Sequence, residues 1–341
     1  MSRILVALLL GSLAWAAEPL PVAPSPAAPH VWGGKARHLF IAVIDGPRWS
    51  ETWGEAQRQY IPHQATELLP QSTLYTAFRN TGWTYTNCGH TALTTGFYEQ
   101  IENSGKELPG HPSVFQYFRA ATGLPAESTW VVTSKDKLFT LGNTTDQAWN
   151  GRLQPRTDCG VPAHGPLGGY RDDHATLAVV QEVLRTQHPA LLLINFKEPD
   201  ASGHAKNWTG YLQGIRDTDG YIAALWSQIQ GDPQLKDQTD LFVTNDHGRH
   251  LDGHTDGYVS HGDDCEGCRH IALLALGPDI TPGRVIGLQR NQLDLAATVA
   301  YLAGVTLPGS QGVVMGELLA PDVAPAPVAV PAPAPVPAPG P

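Results

Sequence analysis

A chain of 341 residues, 42% of them apolar, is long enough to bury one large core. Its 32 acidic residues outweigh 22 Lys and Arg, giving a formal charge of -10. That balance excludes nucleic acid or an anionic membrane as the main partner. It leaves room for a phosphate substrate, because bound cations invert the local field.

Residues 1–17 read as a secretory signal. Arg3 supplies the positive end, Ile4 to Leu13 a short apolar run, and Ala-Trp-Ala a cleavage site near Ala16 or Ala17. The run is too short to span a bilayer comfortably. The mature protein is therefore expected to be exported, periplasmic or secreted, with no transmembrane anchor. Residues 18–33, rich in Pro and Ala, are expected to be a linker. Residues 321–341 alternate Pro and Ala and are expected to be a disordered, extended tail. One domain, 34–320, lies between them.

Four cysteines, Cys88, Cys159, Cys265 and Cys268, make an even count, which favours disulfides in an exported chain. Their pairing is left open. Cys265-Glu-Gly-Cys268 also has the form of half a zinc site, with no second C-x-x-C to complete it.

Within the domain, apolar runs alternate with helical patterns. Strands are predicted over HLFIAVIDG, STWVVTS, ALLLINFKEPD, TDLFVTNDHG and HIALLALGP. Helices are predicted at about 173–187, at about 209–230, and over LDLAATVAYLAG up to Gly304. Continuous apolar strands separated by helices predict an α/β fold, a mostly parallel central sheet sandwiched between helices. In such sheets ligands bind outside the carboxyl ends of the strands. Three of the runs end in Asp45, Asp200 and Asp246, so these acids are predicted to converge on one edge. The segment from about 97 to 170 is expected to be an insert that shapes the pocket.

Histidines accompany those acids: His204 four residues after Asp200, His247 beside Asp246, and His261 before the last strand. Mixed Asp and His ligands suit zinc or a similar divalent ion. A hydroxyl-rich stretch, WTYTNCGHTALTTG, precedes them. A hydroxyl beside a divalent cation becomes a usable nucleophile; at a helix start it can also be a simple cap. Thr84, Thr86 and Thr91 are all candidates on residue type alone.

The order of these motifs resembles the alkaline phosphatase superfamily, in its nucleotide pyrophosphatase/phosphodiesterase-like branch. The resemblance is carried by Asp45 in VIDGPR, Thr86 in TNCGHTALTTGFYE, Asp200 and His204 in EPDASGH, Asp246 and His247 in DHG, and His261 in SHG. It extends over about 40 to 317. It implies a two-metal hydrolase with two divalent ions, zinc foremost and manganese or iron as other occupants. One ion would sit on Asp200, His204 and His261; the other on Asp45, Asp246 and His247 beside the Thr86 oxygen. Thr86 would attack phosphorus and form a covalent phosphothreonine on a small-molecule or headgroup phosphate ester, phosphodiester or phosphomonoester. The branch usually has Pro-Asn before its motif His, where this chain has Cys88-Gly89 before His90.

Asn87, Arg48 and Lys197 are candidate substrate contacts, with a turn contact or a surface salt bridge as the plainer role of each. Arg249 lies equally close to the motifs; His250 and His254 read as site-edge or surface residues. Two other functions compete. A sulfatase or phosphonate hydrolase of the same superfamily is one, although Cys88 lacks the Pro and Arg of the sulfatase C/S-x-P-x-R motif. A non-catalytic, metal-stabilised envelope binding protein is the other.

Overall fold

The computed structural model describes residues 30–161 and 164–325. The signal 1–17, most of the segment 18–33 and most of the tail 321–341 lie outside them. Within the described part of those two segments, His30 Nε2 pairs with the Ala303 carbonyl at 2.7 Å, and Trp32 packs against Phe118. Val323 is buried, and its carbonyl accepts from the Tyr301 hydroxyl at 2.9 Å. Among the described residues no helix is long and apolar enough to cross a membrane.

The strands are β1 (His38–Asp45), β2 (Ser72–Arg79), β3 (Thr129–Thr133), β4 (Arg156–Cys159), β5 (Leu191–Pro199), β6 (Thr239–Thr244), β7 (His270–Leu276), β8 (Arg284–Ile286) and β9 (Arg290–Asn291). The helices are α1 (Thr86–Thr95), α2 (Val114–Thr122), α3 (Asp173–Gln187), α4 (Asp200–His204), α5 (Trp208–Gly231), α6 (Glu266–Arg269) and α7 (Gln292–Leu302). All nine strands join one sheet in the order β4-β3-β5-β1-β6-β7-β2-β8, with β9 also on β2. Neighbours from β4 to β6 pair parallel. Strand β7 pairs antiparallel with both β6 and β2, while β2 runs parallel to β8 and β9. The sheet is thus mostly parallel, with β7 alone reversed.

The apolar runs read as strands because both faces are covered. Along β1, Leu39, Ile41 and Val43 enter one core with Phe115, Phe118, Leu295 and Val299 of α2 and α7. The alternate residues Phe40, Ala42 and Ile44 enter the other with Val180, Leu184, Ile215 and Ile222 of α3 and α5. Helix ends follow local chemistry. Asn291 accepts from the Leu293 amide at 2.8 Å while Asp294 accepts back from the Asn291 amide at 3.1 Å, a reciprocal cap that starts α7.

Three expectations need correction. The 97–170 segment is not an insert: it holds α2 and the sheet strands β3 and β4. Strand β2 was absent from the predicted set because its pattern is broken, with Thr76 and Ala77 only partly buried. The expected disulfides do not form, and all four cysteines are free. Cys88 and Cys159 lie apart in the packing, their thiols donating to the carbonyls of Ile101 and Val131 at 3.4 and 3.8 Å.

One close approach fixes α1 against the end of β6. A Cβ built on Gly89 would lie 2.5 Å from the Asp246 carbonyl oxygen. Helix propensity alone favours Ala over Gly by about 1 kcal/mol, but the clash costs roughly 1–3 kcal/mol. Gly89→Ala is therefore expected to be neutral to destabilising by about 2 kcal/mol, read as a lowered urea midpoint at unchanged slope. A raised midpoint would show that the helix has room to move away.

Candidate metal centre at the strand ends

Strand order decides what meets at the carboxyl edge. β3, β5, β1 and β6 are consecutive and parallel, so the residues that follow them face one another. Lys135 comes two residues after β3, Asp200 opens α4 after β5, Asp45 ends β1, and Asp246 and His247 follow β6. Strand β2 runs the same way, and the chain after it leads into α1, whose first residue is Thr86. Asp45, Asp200, Asp246, His247, His90 and Thr86 are all buried.

The structure brings together all seven residues predicted as ligands. His204 Nε2 lies 3.1 Å from His261 Nε2, and each lies 3.4 Å from Asp200 Oδ1. His247 Nε2 lies 3.3 Å from Asp246 Oδ2, 3.6 Å from Asp45 Oδ1 and 3.5 Å from Thr86 Oγ1. The His247 and His261 rings stack with centroids 3.7 Å apart, so His247 stands between the two groups. Ligand atoms of Asp200, His247 and His261 also fall within 4.8 Å of one another, as do those of Asp45, His90 and Asp246. Thr84 and Thr91 are placed differently. The Thr84 hydroxyl donates to the Asp263 carbonyl at 2.7 Å, and the buried Thr91 hydroxyl has no hydrogen-bond partner among the described residues.

Two residues at this centre were missed by sequence reasoning. His90 had a signal, its place in the helix motif one turn after Thr86, and its Nδ1 lies 3.5 Å from Asp246 Oδ2. Lys135 had none, since nothing local distinguishes it from a surface lysine. Its buried ammonium donates to Asp45 Oδ1 at 2.8 Å, Asp200 Oδ2 at 2.6 Å and Thr86 Oγ1 at 3.2 Å. Arg249, buried, pairs with Asp200 Oδ1. Arg48 instead binds Glu51 and Asp252, and Lys197 lies near Asp172 and Glu198. Neither has a polar contact with the seven among the described residues. The Asn87 amide donates to the Lys137 carbonyl at 3.2 Å, tying α1 to the chain after β3.

The electrostatics are those of a cation site. Burial, and then Asp45, raises the Asp246 carboxyl well above its ordinary range. Burial also works against the Asp200 carboxylate, but Lys135, His261 and Arg249 hold it well below that range. Burial disfavours the Lys135 ammonium, yet Asp200 and Asp45 outweigh it and raise its pKa. Burial holds His247 and His261 well below the usual imidazole range and His90 at about 4, so all three are neutral near pH 7. Asp246 Oδ2 and His90 Nε2 are buried with no hydrogen-bond partner. Orphaned carboxylate and imidazole atoms, facing neighbours of the same type, fit divalent ions of the zinc class.

Cys88, the cysteine weighed above for formylglycine formation, is two residues beyond Thr86 and therefore on roughly the opposite side of α1. Its thiol is buried against Ile101 and its pKa is raised by that burial.

The model of the type I phosphodiesterase / nucleotide pyrophosphatase family matches residues 25–250. A phosphopentomutase of Desulfitobacterium hafniense is 28% identical over 162 residues, 47% of this chain and 37% of that protein. Arylsulfatase K of Xenopus laevis is 33% identical over 119 residues, 31% of this chain and 22% of that one. This chain thus aligns with little more than a third, or less, of the length of these curated relatives. Among solved structures, a phosphonate monoester hydrolase from Silicibacter pomeroyi superposes with a TM-score of 0.60 at 14% identity, covering 82% of this chain and 76% of that one. An alkaline phosphatase superfamily protein from Vibrio parahaemolyticus does so at 0.60 and 17%, covering 87% and 74%. At such identities the superpositions speak for the fold, and with the family match over more than half its length this chain belongs to the type I phosphodiesterase / nucleotide pyrophosphatase family and has the alkaline phosphatase-like fold.

Proposed function

We propose that this protein is an exported two-metal hydrolase of phosphate esters that works through a phosphothreonine at Thr86. One observation carries the reading: Thr86 Oγ1 stands 3.5 Å from His247 Nε2 and 3.2 Å from Lys135 Nζ, where the two Asp/His groups meet. Thr86 also opens the ten-residue helix α1, whose positive end favours a phosphoryl group.

In this reading Asp200, His204 and His261 hold one ion, and Asp45, Asp246 and His247 with the Thr86 oxygen hold the other, His90 standing behind Asp246. When bound, the ions lower the pKa of the nucleophilic hydroxyl and compensate phosphoryl charge. The Thr86 oxygen bonds to phosphorus as the ester P–O bond breaks, and the hydroxyl proton leaves with the alcohol. Water then cleaves the threonine–phosphate bond and restores the hydroxyl, releasing inorganic phosphate from a monoester or a phosphomonoester from a diester. Lys135 faces the transferring group and adds positive charge where negative charge develops. Arg249 orients Asp200. Exposed Tyr85, 6.0 Å from the His261 ring, and exposed Tyr170, 5.9 Å from Lys135 Nζ, offer apolar contact to the esterified group. Zinc is the proposed metal. Export rests on residues 1–17.

The names of two relatives, an arylsulfatase and a phosphonate monoester hydrolase, keep sulfate and phosphonate esters as competing substrates. A buried Cys88 turned away from the site speaks against formylglycine chemistry. Lys135 supports a second reading of the metal count: an ammonium bridging Asp45 and Asp200 can replace one ion, leaving a single-metal site.

Thr86→Ala is expected to lower turnover of nitrophenyl phosphate esters at least about 1000-fold while metal stays bound. Full activity in that variant would remove the phosphothreonine step. For the metal count, Asp200→Asn and Asp246→Asn are each expected to shed one equivalent by elemental analysis. If only one of them sheds metal, the single-ion reading holds.

The depressed imidazoles also set a pH dependence. The unfolded chain takes up protons near pH 6.5 that buried His90 refuses until about pH 4. Metal-free protein therefore keeps this contribution in full above about pH 6.5 and loses it as pH falls toward 4, on the order of 3 kcal/mol for His90. Urea midpoints of the metal-free protein should fall across that window, and less steeply in His90→Asn. Equal slopes in the two proteins would contradict the assignment.

A further inference from the structure

The C-x-x-C motif has no part in the centre described above, yet the fold completes it. We propose that His250, Asp263, Cys265 and Cys268 form a separate, thiolate-bearing structural zinc site that ties down the loop carrying Arg249 and His261.

Each of the four offers one ligand atom, and all four atoms lie within 4.8 Å of one another. A tetrahedral zinc with bonds of about 2.0–2.3 Å needs ligand separations of roughly 3.3–3.8 Å, so a small closure suffices. The donor set of one nitrogen, one oxygen and two sulfurs is one that zinc accepts and that calcium or magnesium does not favour. Both cysteines are free thiols, and Cys268 is fully buried.

His250 supplies the independent observation. It is 5% exposed, and its Nε2 is buried with no hydrogen-bond partner. That nitrogen points into the cluster, 3.3 Å from Asp263 Oδ2. On the other side of the ring, Nδ1 pairs with Asp256 Oδ1 at 3.0 Å. With its proton on Nδ1, toward that carboxylate, the ring presents the Nε2 lone pair inward, the arrangement that orients metal-ligating histidines. A lone pair and a carboxylate oxygen 3.3 Å apart repel unless a metal cation or a proton lies between them, and the same Asp263 oxygen meets His254 Nε2 at 2.9 Å.

The backbone around the motif is built for close docking. The Gly248 amide donates to the Cys268 carbonyl at 2.8 Å. A Cβ on Gly248 would lie 2.0 Å from the Gly267 carbonyl oxygen, and one on Gly267 would lie 2.3 Å from that of Arg249. The C-x-x-C turn thus sits directly on the Asp246-His247-Gly248 loop. His250 lies at the start, and Asp263 to Cys268 at the end, of the excursion that contains His261. An ion on these four residues closes that loop at its base. It holds His261 beside His247 and Arg249 beside Asp200. The four ligands are disjoint from those at the strand ends, so the site stands or falls separately from the catalytic reading.

The test is cobalt-substituted protein. None of the ligands at the strand ends carries sulfur, so near-ultraviolet sulfur-to-cobalt charge-transfer absorption reports this site alone. The full-length protein is expected to show that band. Cys265→Ser/Cys268→Ser is expected to lose it together with one metal equivalent, and Thr86→Ala is expected to keep both. Asp256→Asn, changing a partly exposed residue, is expected to weaken metal retention by about 10–100-fold in a chelator titration even if the cysteine variant fails to fold. Absence of the band in native protein with strand-end metal bound would overturn the proposal. So would a Cys265–Cys268 disulfide found by peptide mapping of the native protein, or a His250 that merely bridges Asp256 and Asp263 as imidazolium with no metal equivalent lost on mutation.

Discussion

Three carboxylates, Asp45, Asp200 and Asp246, are held at the carboxyl edge of one sheet with almost no access to solvent. Burying one unpaired carboxylate is already unfavourable, and three close together repel. Positive charge must come with them, and the surrounding structure supplies it in graded form. Lys135 reaches two of the acids, Arg249 pairs with one, and neutral imidazoles present lone pairs to ions. Lys135 and Arg249 thus place two buried cations among three carboxylates, in a chain that is acidic as a whole.

Sheet order makes that concentration possible. Because β3, β5, β1 and β6 are adjacent and parallel, residues as far apart in sequence as Lys135 and Asp246 leave the sheet side by side. Backbone atoms then fix their aim. The Asp246 carbonyl accepts from Asn80 Nδ2 and Gln292 Nε2, both at 2.8 Å, while Gly89 lets α1 approach it. Asn195 donates to Asp45 at 3.0 Å, and Asn245 joins β1 to β7 by donating to the Ile44 carbonyl and accepting from the Ala272 amide. These contacts hold the cluster of acids and imidazoles in one fixed shape.

The reversal of β7 has its own consequence. A strand running against its neighbours begins at the edge where they end, so the chain before His270 must return to the carboxyl edge of the sheet. That return carries His250, His261 and the C-x-x-C turn past Asp246 and His247. The same excursion therefore supplies one ligand to the strand-end centre and assembles a second cluster beneath it.

Much of this was legible in the sequence. Continuous apolar runs ending in Asp45, Asp200 and Asp246 announced a doubly covered sheet with acids at one edge, because burial on both faces removes polar residues from a strand until it ends. The spacings Asp200 to His204 and Asp246 to His247 are local, and local geometry carries them. What the sequence could not show depends on partners distant along the chain. Lys135 follows an ordinary strand, and only the adjacency of β3 and β5 sets its ammonium between Asp200 and Asp45. Arg48 and Lys197 lie close to motifs in sequence but turn to carboxylates elsewhere: Arg48, in the loop after β1, to Glu51 and Asp252, and Lys197, on β5, toward Asp172 and Glu198. Cys265 and Cys268 read as half a zinc site or a disulfide until folding brought His250 and Asp263 to them. The sequence by itself determined the five contiguous strands β3, β5, β1, β6 and β7, their carboxyl-edge acids and the chemical types gathered there, while β2, β4, β8 and β9 went unread. Tertiary structure alone decided which distant side chains share a site, because contact between residues separated by up to about 200 positions is set by strand order and packing, not by spacing.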